Sequence, residues 1–265
     1  MQPLTIDMTP LAKTLKLQAV PSATPSSERA NHVAVLPERL AKSGSWESTL
    51  ALEQIHVLAT HVLARHAAKT LNSIAVTSAL SSEGKTTIAL CLARKVAAAG
   101  KRVLVVDLDT HRGTLSDEVT LPDARGVMEL LTGPETNGDL PVYQSDCAGL
   151  FVLPRGRMNG QDAIPLPQRD RIRSLIGRAL QQRFDILVLD CPPLVPVADS
   201  FVIRDVVDTA IMVVRANSTP RQVVETAVTE FGTSKFMAAV LNRASPSDIP
   251  YFREVYGYYR RNHKK

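Results

Sequence analysis

The fold is decided by one stretch of the sequence, SIAVTSALSSEGKTT at residues 73–87. Its first half is rich in β-branched residues and predicts a buried strand, while Gly84-Lys85-Thr86-Thr87 opens a helix that is stopped by Gly100. A loop at a helix N-terminus turns successive backbone N–H groups inward, and the helix dipole adds to their field. The stretch therefore predicts a site for phosphate groups at the start of the helix.

Two side chains of this loop have the chemistry to complete a nucleotide site. Lys85 would reach the β- and γ-phosphates, and the Thr86 hydroxyl would ligate Mg²⁺. The strict phosphate-loop pattern has Gly at position 79, where this chain has Ala79. The strand before the loop and the helix after it supply the context that the motif requires. These residues predict a P-loop that binds a nucleotide.

Three aspartates follow apolar strands elsewhere in the chain. Asp190 ends the run FDILVLD, and Asp107 and Asp109 end the run VLVVDLD. The carboxyl ends of parallel strands face the ligand crevice, and a carboxylate in this position holds Mg²⁺ or its water. A single aspartate at the end of a strand can be explained as a cap of that strand. Three such aspartates beside a P-loop are harder to explain in this way. The aspartates therefore predict a metal site next to the phosphates.

The rest of the chain alternates strands and helices. Val103–Val106 and Ile186–Leu189 are apolar at every position, as in parallel strands that are covered on both faces. We predict an α/β fold with a doubly wound, mostly parallel sheet of the P-loop NTPase type and right-handed crossovers. The predicted strands are 73–78, 102–107, 149–153, 185–190, 209–214 and 236–241, and the predicted helices are 46–69, 86–99, 126–131, 169–182 and 221–231.

Composition distinguishes the two terminal segments from the central domain and argues against a membrane-spanning or secreted protein. The 265 residues are 45% hydrophobic and 22% charged, which is globular material. Residues 1–45 are rich in Pro, Ser, Thr and Ala and predict a disordered segment. Residues 46–250 predict the nucleotide-binding domain, and residues 251–265 a basic, tyrosine-rich tail. With no apolar run of about 18 residues and no secretory signal, we expect a cytoplasmic protein.

Three segments resemble the Walker A, Walker A′ and Walker B motifs of the bacterial tyrosine kinases, the cytoplasmic autokinases of capsule and exopolysaccharide export. They are residues 79–87, 103–112 and 186–199. The similarity covers residues 46–260 and includes GVMELLTG at 126–133, LDCPPL at 189–194 and VLNR at 240–243. Four of the five tyrosines lie near the C-terminus and are similar to the cluster that these kinases autophosphorylate: Tyr251, Tyr256, Tyr258 and Tyr259.

The resemblance implies an ATP- and Mg²⁺-dependent protein-tyrosine kinase and assigns roles to single residues. Lys85, Asp107 and Asp109 would be catalytic. The metal ligands would be Thr86, Asp107 and Asp190. The nucleotide would be bound by Ser82, Glu83, Gly84, Lys85, Thr86 and Thr87 around the phosphates and by Asn242 and Arg243 near the adenine. The tail tyrosines would accept the phosphoryl group in the active site of a neighbouring subunit.

Partners follow from the same resemblance. It implies a membrane protein that controls chain length or activates export, recruitment to the inner face of the plasma membrane, and a possible homo-oligomer through tail exchange. The net charge of +5 includes a basic cluster at the end of the chain, Arg260, Arg261, Lys264 and Lys265. No aromatic and basic recognition motif accompanies it, so no nucleic-acid partner is expected.

Departures from the family pattern leave two alternatives open. A family motif of the N-terminal helix has two arginines where this chain has His56 and Ala59, and His111 stands for the first arginine of the Walker A′ motif. These changes favour a catalytically weak, nucleotide-dependent regulatory subunit of a polysaccharide export complex. A partitioning or division-site ATPase is the second alternative. Its signature lysine would stand at position 80, which is Leu80 here.

Overall fold

A computed structural model describes residues 4–6, 18–19, 46–110, 112–119, 124–134, 139–157, 169–195 and 199–244. His111, the four tail tyrosines and most of the first 45 residues lie outside this range. The predictions of a disordered N-terminal segment and a tyrosine-rich tail therefore stay predictions. The domain boundaries drawn from the sequence stay predictions as well.

A single sheet organises the fold. Within the described residues it has nine strands in the order β1-β9-β8-β3-β7-β4-β6-β5-β2. Neighbouring strands are parallel except where β5 pairs with β2 and β6. The strands are β1 (Leu4–Ile6), β2 (Gln18–Ala19), β3 (Ser73–Ser78), β4 (Val103–Asp107), β5 (Tyr143–Gln144), β6 (Leu150–Leu153), β7 (Ile186–Asp190), β8 (Thr209–Arg215) and β9 (Phe236–Asn242).

Helices cover both faces of this sheet. One apolar cluster joins α1 and α2 to the first face, and a second cluster joins α4, α5 and α7 to the other. Successive residues of a strand point to opposite faces, so Val105 belongs to the first cluster and Leu104 to the second. The helices are α1 (Trp46–Ala67), α2 (Lys85–Ala98), α3 (Thr114–Glu118), α4 (Val127–Thr132), α5 (Arg169–Gln181), α6 (Asp199–Arg204) and α7 (Arg221–Phe231).

The predicted fold class is confirmed. Strands β3, β4, β6 and β7 are buried at every position, and for β4 and β7 this is the property that their apolar sequences indicated. The ends of the predicted elements differ from the observed ones by one or two residues, as is usual for fraying termini. Among the described residues, no helix is long and apolar enough to cross a membrane.

The topology brings three strand ends together. Strand β7 lies between β3 and β4, and all three run in the same direction. Asp107 at the end of β4 is therefore in register with Asp190 at the end of β7. The loop from β3 to α2 starts at the same edge of the sheet, where ligands of open α/β sheets bind.

Candidate nucleotide-binding site

The loop after β3 has the backbone geometry of a phosphate cradle. Ser82 and Gly84 both have left-handed backbone conformations, with φ of 63° and 99°. A Cβ atom on Gly84 would lie 2.2 Å from the Nδ2 atom of Asn242, so this position requires glycine. Helix α2 begins at Lys85, and no side chain caps it. Its first N–H groups are thus oriented toward an incoming anion.

Lys85 is held at the centre of the site. It is only 6% exposed, and its Nζ atom lies 3.8 Å from the Oδ2 atom of Asp109. The Oδ1 atom of Asp109 accepts a hydrogen bond from the Arg112 N–H at 3.2 Å. Arg112 in turn donates to the Ser82 hydroxyl at 3.2 Å. The loop after β4 is therefore tied to the phosphate cradle by both a charge pair and a hydrogen bond.

The Asp190 carboxyl group has the features of a metal ligand. Its Oδ2 atom accepts a hydrogen bond from the Thr86 hydroxyl at 2.6 Å. Its Oδ1 atom is buried and has no hydrogen-bond partner among the described residues. Burial, followed by the charge of Asp107, raises the pKa of Asp190 to about 8, against the lowering effects of Thr86 and Lys85. An unpartnered carboxylate oxygen beside a threonine hydroxyl is a donor set that suits Mg²⁺.

Asp107 has less free coordination capacity than Asp190. Its Oδ1 atom accepts from the Asp109 N–H at 3.2 Å, and its Oδ2 atom accepts from the N–H and the hydroxyl of Ser116, at 3.0 and 2.7 Å. Burial raises the pKa of Asp107 to about 6, although the Ser116 hydrogen bonds oppose this shift. Ser116 was missed in the sequence, because a serine in a five-residue helix carries no pattern.

A P-loop metal site needs few protein ligands. Within the described ranges, no group of three or more His, Cys, Asp or Glu side chains could hold a metal ion alone. Mg²⁺ in nucleotide sites takes one or two protein ligands and completes its shell with phosphate oxygens and water. Thr86 and Asp190 together with a nucleotide therefore fit the ion.

The Glu83 side chain is buried and hydrogen bonded within the protein. It is 2% exposed, and its carboxyl group accepts hydrogen bonds from the Leu80 N–H at 2.9 Å, from the Arg215 N–H at 3.2 Å and from the Thr219 hydroxyl. The sequence assigned Glu83 to cofactor binding. Its carboxyl group is therefore occupied by contacts within the protein, and cofactor binding by Glu83 stays a prediction.

Asn242 and Arg243 lie at the end of β9, next to the same loop. The Nδ2 atom of Asn242 donates to the Glu83 carbonyl oxygen at 2.8 Å, and its Oδ1 atom accepts from the Arg243 N–H at 3.0 Å. Asn242 is 2% exposed, whereas Arg243 is exposed. Of the two residues assigned to the adenine, Arg243 is the one whose side chain is open to a ligand, and this role stays a prediction.

The chain is similar to known nucleotide-binding proteins. Residues 74–251 match the model of the CobQ/CobB/MinD/ParA nucleotide-binding domain. The chain belongs to this family. It is 30% identical over 181 residues to tyrosine-protein kinase CpsD of Streptococcus agalactiae. The aligned region covers 67% of this chain and 77% of that protein. It is also 28% identical to the succinoglycan biosynthesis transport protein ExoP of Rhizobium meliloti, over 72% of this chain and 25% of that protein.

The fold of this family member is similar to the solved structures of tyrosine-kinase domains. The kinase domain of Escherichia coli tyrosine kinase ETK superposes with a TM-score of 0.62 at 25% identity, over 74% of this chain and 78% of that domain. The resemblance to bacterial tyrosine kinases that the sequence indicated is thereby confirmed. The family is one of nucleotide-binding domains, and the matched residues include the loop at 79–87, whose role in binding phosphate stays a prediction.

Proposed function

We propose that the chain is a protein-tyrosine autokinase that uses ATP and Mg²⁺ and regulates the synthesis and export of a capsular polysaccharide or exopolysaccharide. One observation carries the chemical part of this proposal. The Thr86 hydroxyl contacts Asp190, whose second oxygen is buried without a partner, directly beside Lys85. The relatives named as tyrosine kinases and as a polysaccharide transport protein support the biological part.

The phosphoryl transfer would proceed mainly by positioning and charge stabilisation. The phenol oxygen of an acceptor tyrosine would attack the γ-phosphorus of ATP, and the bond from that phosphorus to the bridging oxygen would break and release ADP. Lys85 would offset the negative charge on the phosphates. The Asp109 carboxylate would accept the phenol proton. When bound by Thr86 and Asp190, Mg²⁺ would add positive charge at the phosphate oxygens.

The acceptors in this proposal are Tyr251, Tyr256, Tyr258 and Tyr259 of a neighbouring subunit. Each phosphate would add up to about two negative charges to the tail. Repulsion between them, together with pairing to Arg260 and Arg261, would change the contacts between subunits. A homo-oligomer that exchanges tails would therefore be switched by its own phosphorylation.

A membrane protein of polysaccharide assembly is the proposed partner, and it would recruit the chain to the inner face of the plasma membrane. ExoP, which is named as a transport protein of succinoglycan biosynthesis, is about four times as long as its region of similarity to this chain. A protein of this kind combines the nucleotide-binding domain with further sequence. This supports a functional link between the domain and a transport component.

The experiment is incubation of the purified chain with ATP and Mg²⁺, followed by detection of phosphotyrosine. We expect label on the wild type, none on Lys85→Met, and none when all four tail tyrosines are changed to phenylalanine. The Tyr143→Phe variant is the matched control, because Tyr143 lies in β5 and should leave the label unchanged. A wild type that stays unlabelled, alone and with its membrane partner, would contradict the kinase proposal.

The regulatory-subunit alternative is favoured by one observation in α1. Ala59 replaces a family arginine, and it is 2% exposed within the core. Position 59 therefore cannot contribute to an assembly face on α1, whereas Glu53, His56 and His61 are exposed and can. Under this alternative the chain would bind MgATP without becoming phosphorylated. The partitioning-ATPase alternative has no lysine at position 80 to support it.

A further inference from the structure

We propose that Thr219, in the turn between β8 and α7, is a positioning residue that sets the nucleotide affinity of the P-loop by holding Glu83. The inference rests on the proposed nucleotide binding and adds a residue outside the cradle that tunes its affinity. Thr219 lies 136 residues from Glu83 in the sequence, and its hydroxyl donates to the Oε1 atom of Glu83. Thr219 is only half-buried and belongs to no predicted site.

Glu83 connects this turn to the cradle through the hydrogen bonds of its carboxyl group. Its Oε1 atom accepts from Thr219 and from the Arg215 N–H, while its Oε2 atom accepts from the Leu80 N–H at 2.9 Å. Leu80 is at the start of the loop, and Gly84, directly after Glu83, precedes Lys85, the first residue of α2. One carboxyl group therefore joins the two ends of the cradle to the end of β8.

The end of β9 holds the same segment from the other side. The Asn242 side chain donates to the Glu83 carbonyl oxygen at 2.8 Å, and the Ala216 N–H donates to the Asn242 carbonyl oxygen at 2.8 Å. The backbone at Glu83 thus has fixed contacts on both sides. If the Thr219 bond is lost, the contacts through Arg215 and Asn242 remain, so the fold should persist while the cradle loosens.

The geometry also makes the turn a place where α7 can influence the site. Pro220 follows Thr219 and precedes the first residue of α7, so a displacement of this helix moves the Thr219 hydroxyl directly. The Thr219 N–H is hydrogen bonded to the Arg215 carbonyl oxygen at 3.3 Å, which makes the turn compact. The Thr219 hydroxyl therefore couples the position of α7 to the Glu83 carboxyl group.

The test compares Thr219→Val, which keeps the shape but removes the hydroxyl, with Thr219→Ser, which keeps the hydroxyl. MgATP binding to the full chain is measured by calorimetry. We expect the Kd of Thr219→Val to rise by up to about tenfold, the rise that follows if the whole contribution of this hydrogen bond to a charged group holds the cradle in its binding conformation. Thr219→Ser should restore the Kd to within about twofold. The KM for ATP should follow the Kd while kcat at saturating ATP is unchanged.

Two controls separate positioning from loss of stability. Thr229→Val removes a hydroxyl of α7 that donates to the Glu225 carbonyl oxygen, far from the cradle, and should leave the Kd unchanged. Glu83→Gln should weaken binding, because an amide has a single acceptor oxygen for the donors of Leu80, Arg215 and Thr219. Its effect should not add fully to that of Thr219→Val, since both changes weaken the same network. Melting temperatures without nucleotide show whether each variant is folded.

The possible outcomes distinguish this inference from the proposed function. If the wild type binds MgATP and Thr219→Val binds equally well, the positioning role of Thr219 is overturned and the proposed function stands. Equal weakening by Val and Ser at position 219 would also overturn it, because the hydroxyl would then not matter. A wild type that does not bind MgATP would overturn the proposed function and the inference together.

Discussion

At the scale of single residues, the pKa of Asp190 makes the metal-free site sensitive to pH. Burial and the charge of Asp107 raise this pKa from 3.8 to about 8. Between these pH values the folded chain retains a proton that the unfolded chain has released. The free energy of unfolding should therefore fall as the pH rises through this window and level off above about 8.

Thermal unfolding in a chelator at several pH values checks this prediction. We expect the melting temperature of the wild type to fall as the pH rises from 5 to 8, and the Asp190→Asn variant to lose this part of the slope. Asp107, whose pKa is raised to about 6, contributes the lower end of the window. Equal slopes for the two proteins would show that Asp190 does not carry the effect.

Gly84 is the residue whose backbone the cradle constrains most. Replacement by alanine introduces a side chain at a φ of 99° and a clash with Asn242. We expect Gly84→Ala to lower the free energy of unfolding by about 2 kcal/mol and to abolish nucleotide binding. Gly100→Ala is the matched control: its φ is 84°, but a Cβ there would meet nothing within 4 Å.

Urea unfolding of these two glycine variants separates strain from steric contact. Gly100→Ala should cost about 1 kcal/mol, the cost of the left-handed conformation alone, and leave nucleotide binding intact. If the free energy of unfolding fell equally in both variants and both bound nucleotide, the close approach of Gly84 to Asn242 would not matter for nucleotide binding.

The sequence predicted the local part of the site and missed the long-range part. Lys85 and Thr86 belong to a continuous motif, and Asp190 ends an apolar strand, so their neighbourhood follows from the fold. The direction of the Glu83 carboxyl group depends on the turn at Thr219, which is 136 residues away. No spacing in a single sequence encodes a contact of that kind.

At the scale of elements, α1 packs on α2 and the sheet through a shared apolar cluster. Leu58 has no exposed surface and belongs to the cluster that α1 shares with α2. We expect Leu58→Ala to lower the free energy of unfolding by about 2–5 kcal/mol. Leu52→Ala is the control in the same helix, because Leu52 is 41% exposed and should change stability by about 0.5 kcal/mol or less. Similar losses from both changes in urea unfolding would contradict this packing.

The sequence predicted the long elements with a clear apolar pattern and missed the short ones. Strands that are buried on both faces were recognised from continuous apolar runs, as in β4 and β7. The short strands β1, β2 and β5 and the short helices α3 and α6 were not predicted, and β1 and β2 lie in the segment for which the sequence predicted disorder. Such short elements have too few residues for a period to be visible, and tertiary contacts such as those between Ser116 and Asp107 stabilise them.

At the scale of the whole molecule, the nucleotide site and the proposed acceptor tyrosines are separate parts of the chain. The site lies between residues 79 and 243, and the tail begins at residue 251. We expect a chain that ends at residue 250 to bind MgATP with wild-type affinity and to lack phosphotyrosine. Calorimetry and phosphotyrosine detection on the same sample check both statements, and loss of binding would show that the tail belongs to the site.

The account as a whole depends on the cradle at residues 79–87 binding a magnesium nucleotide. Calorimetric titration of MgATP into the wild type, Lys85→Met and Asp190→Asn tests this most directly, with Arg173→Ala as a control on the exposed side of α5. We predict binding by the wild type and the control, and a Kd at least about tenfold higher for the other two variants. Equal affinity of all four proteins, or no binding by the wild type, would contradict the account.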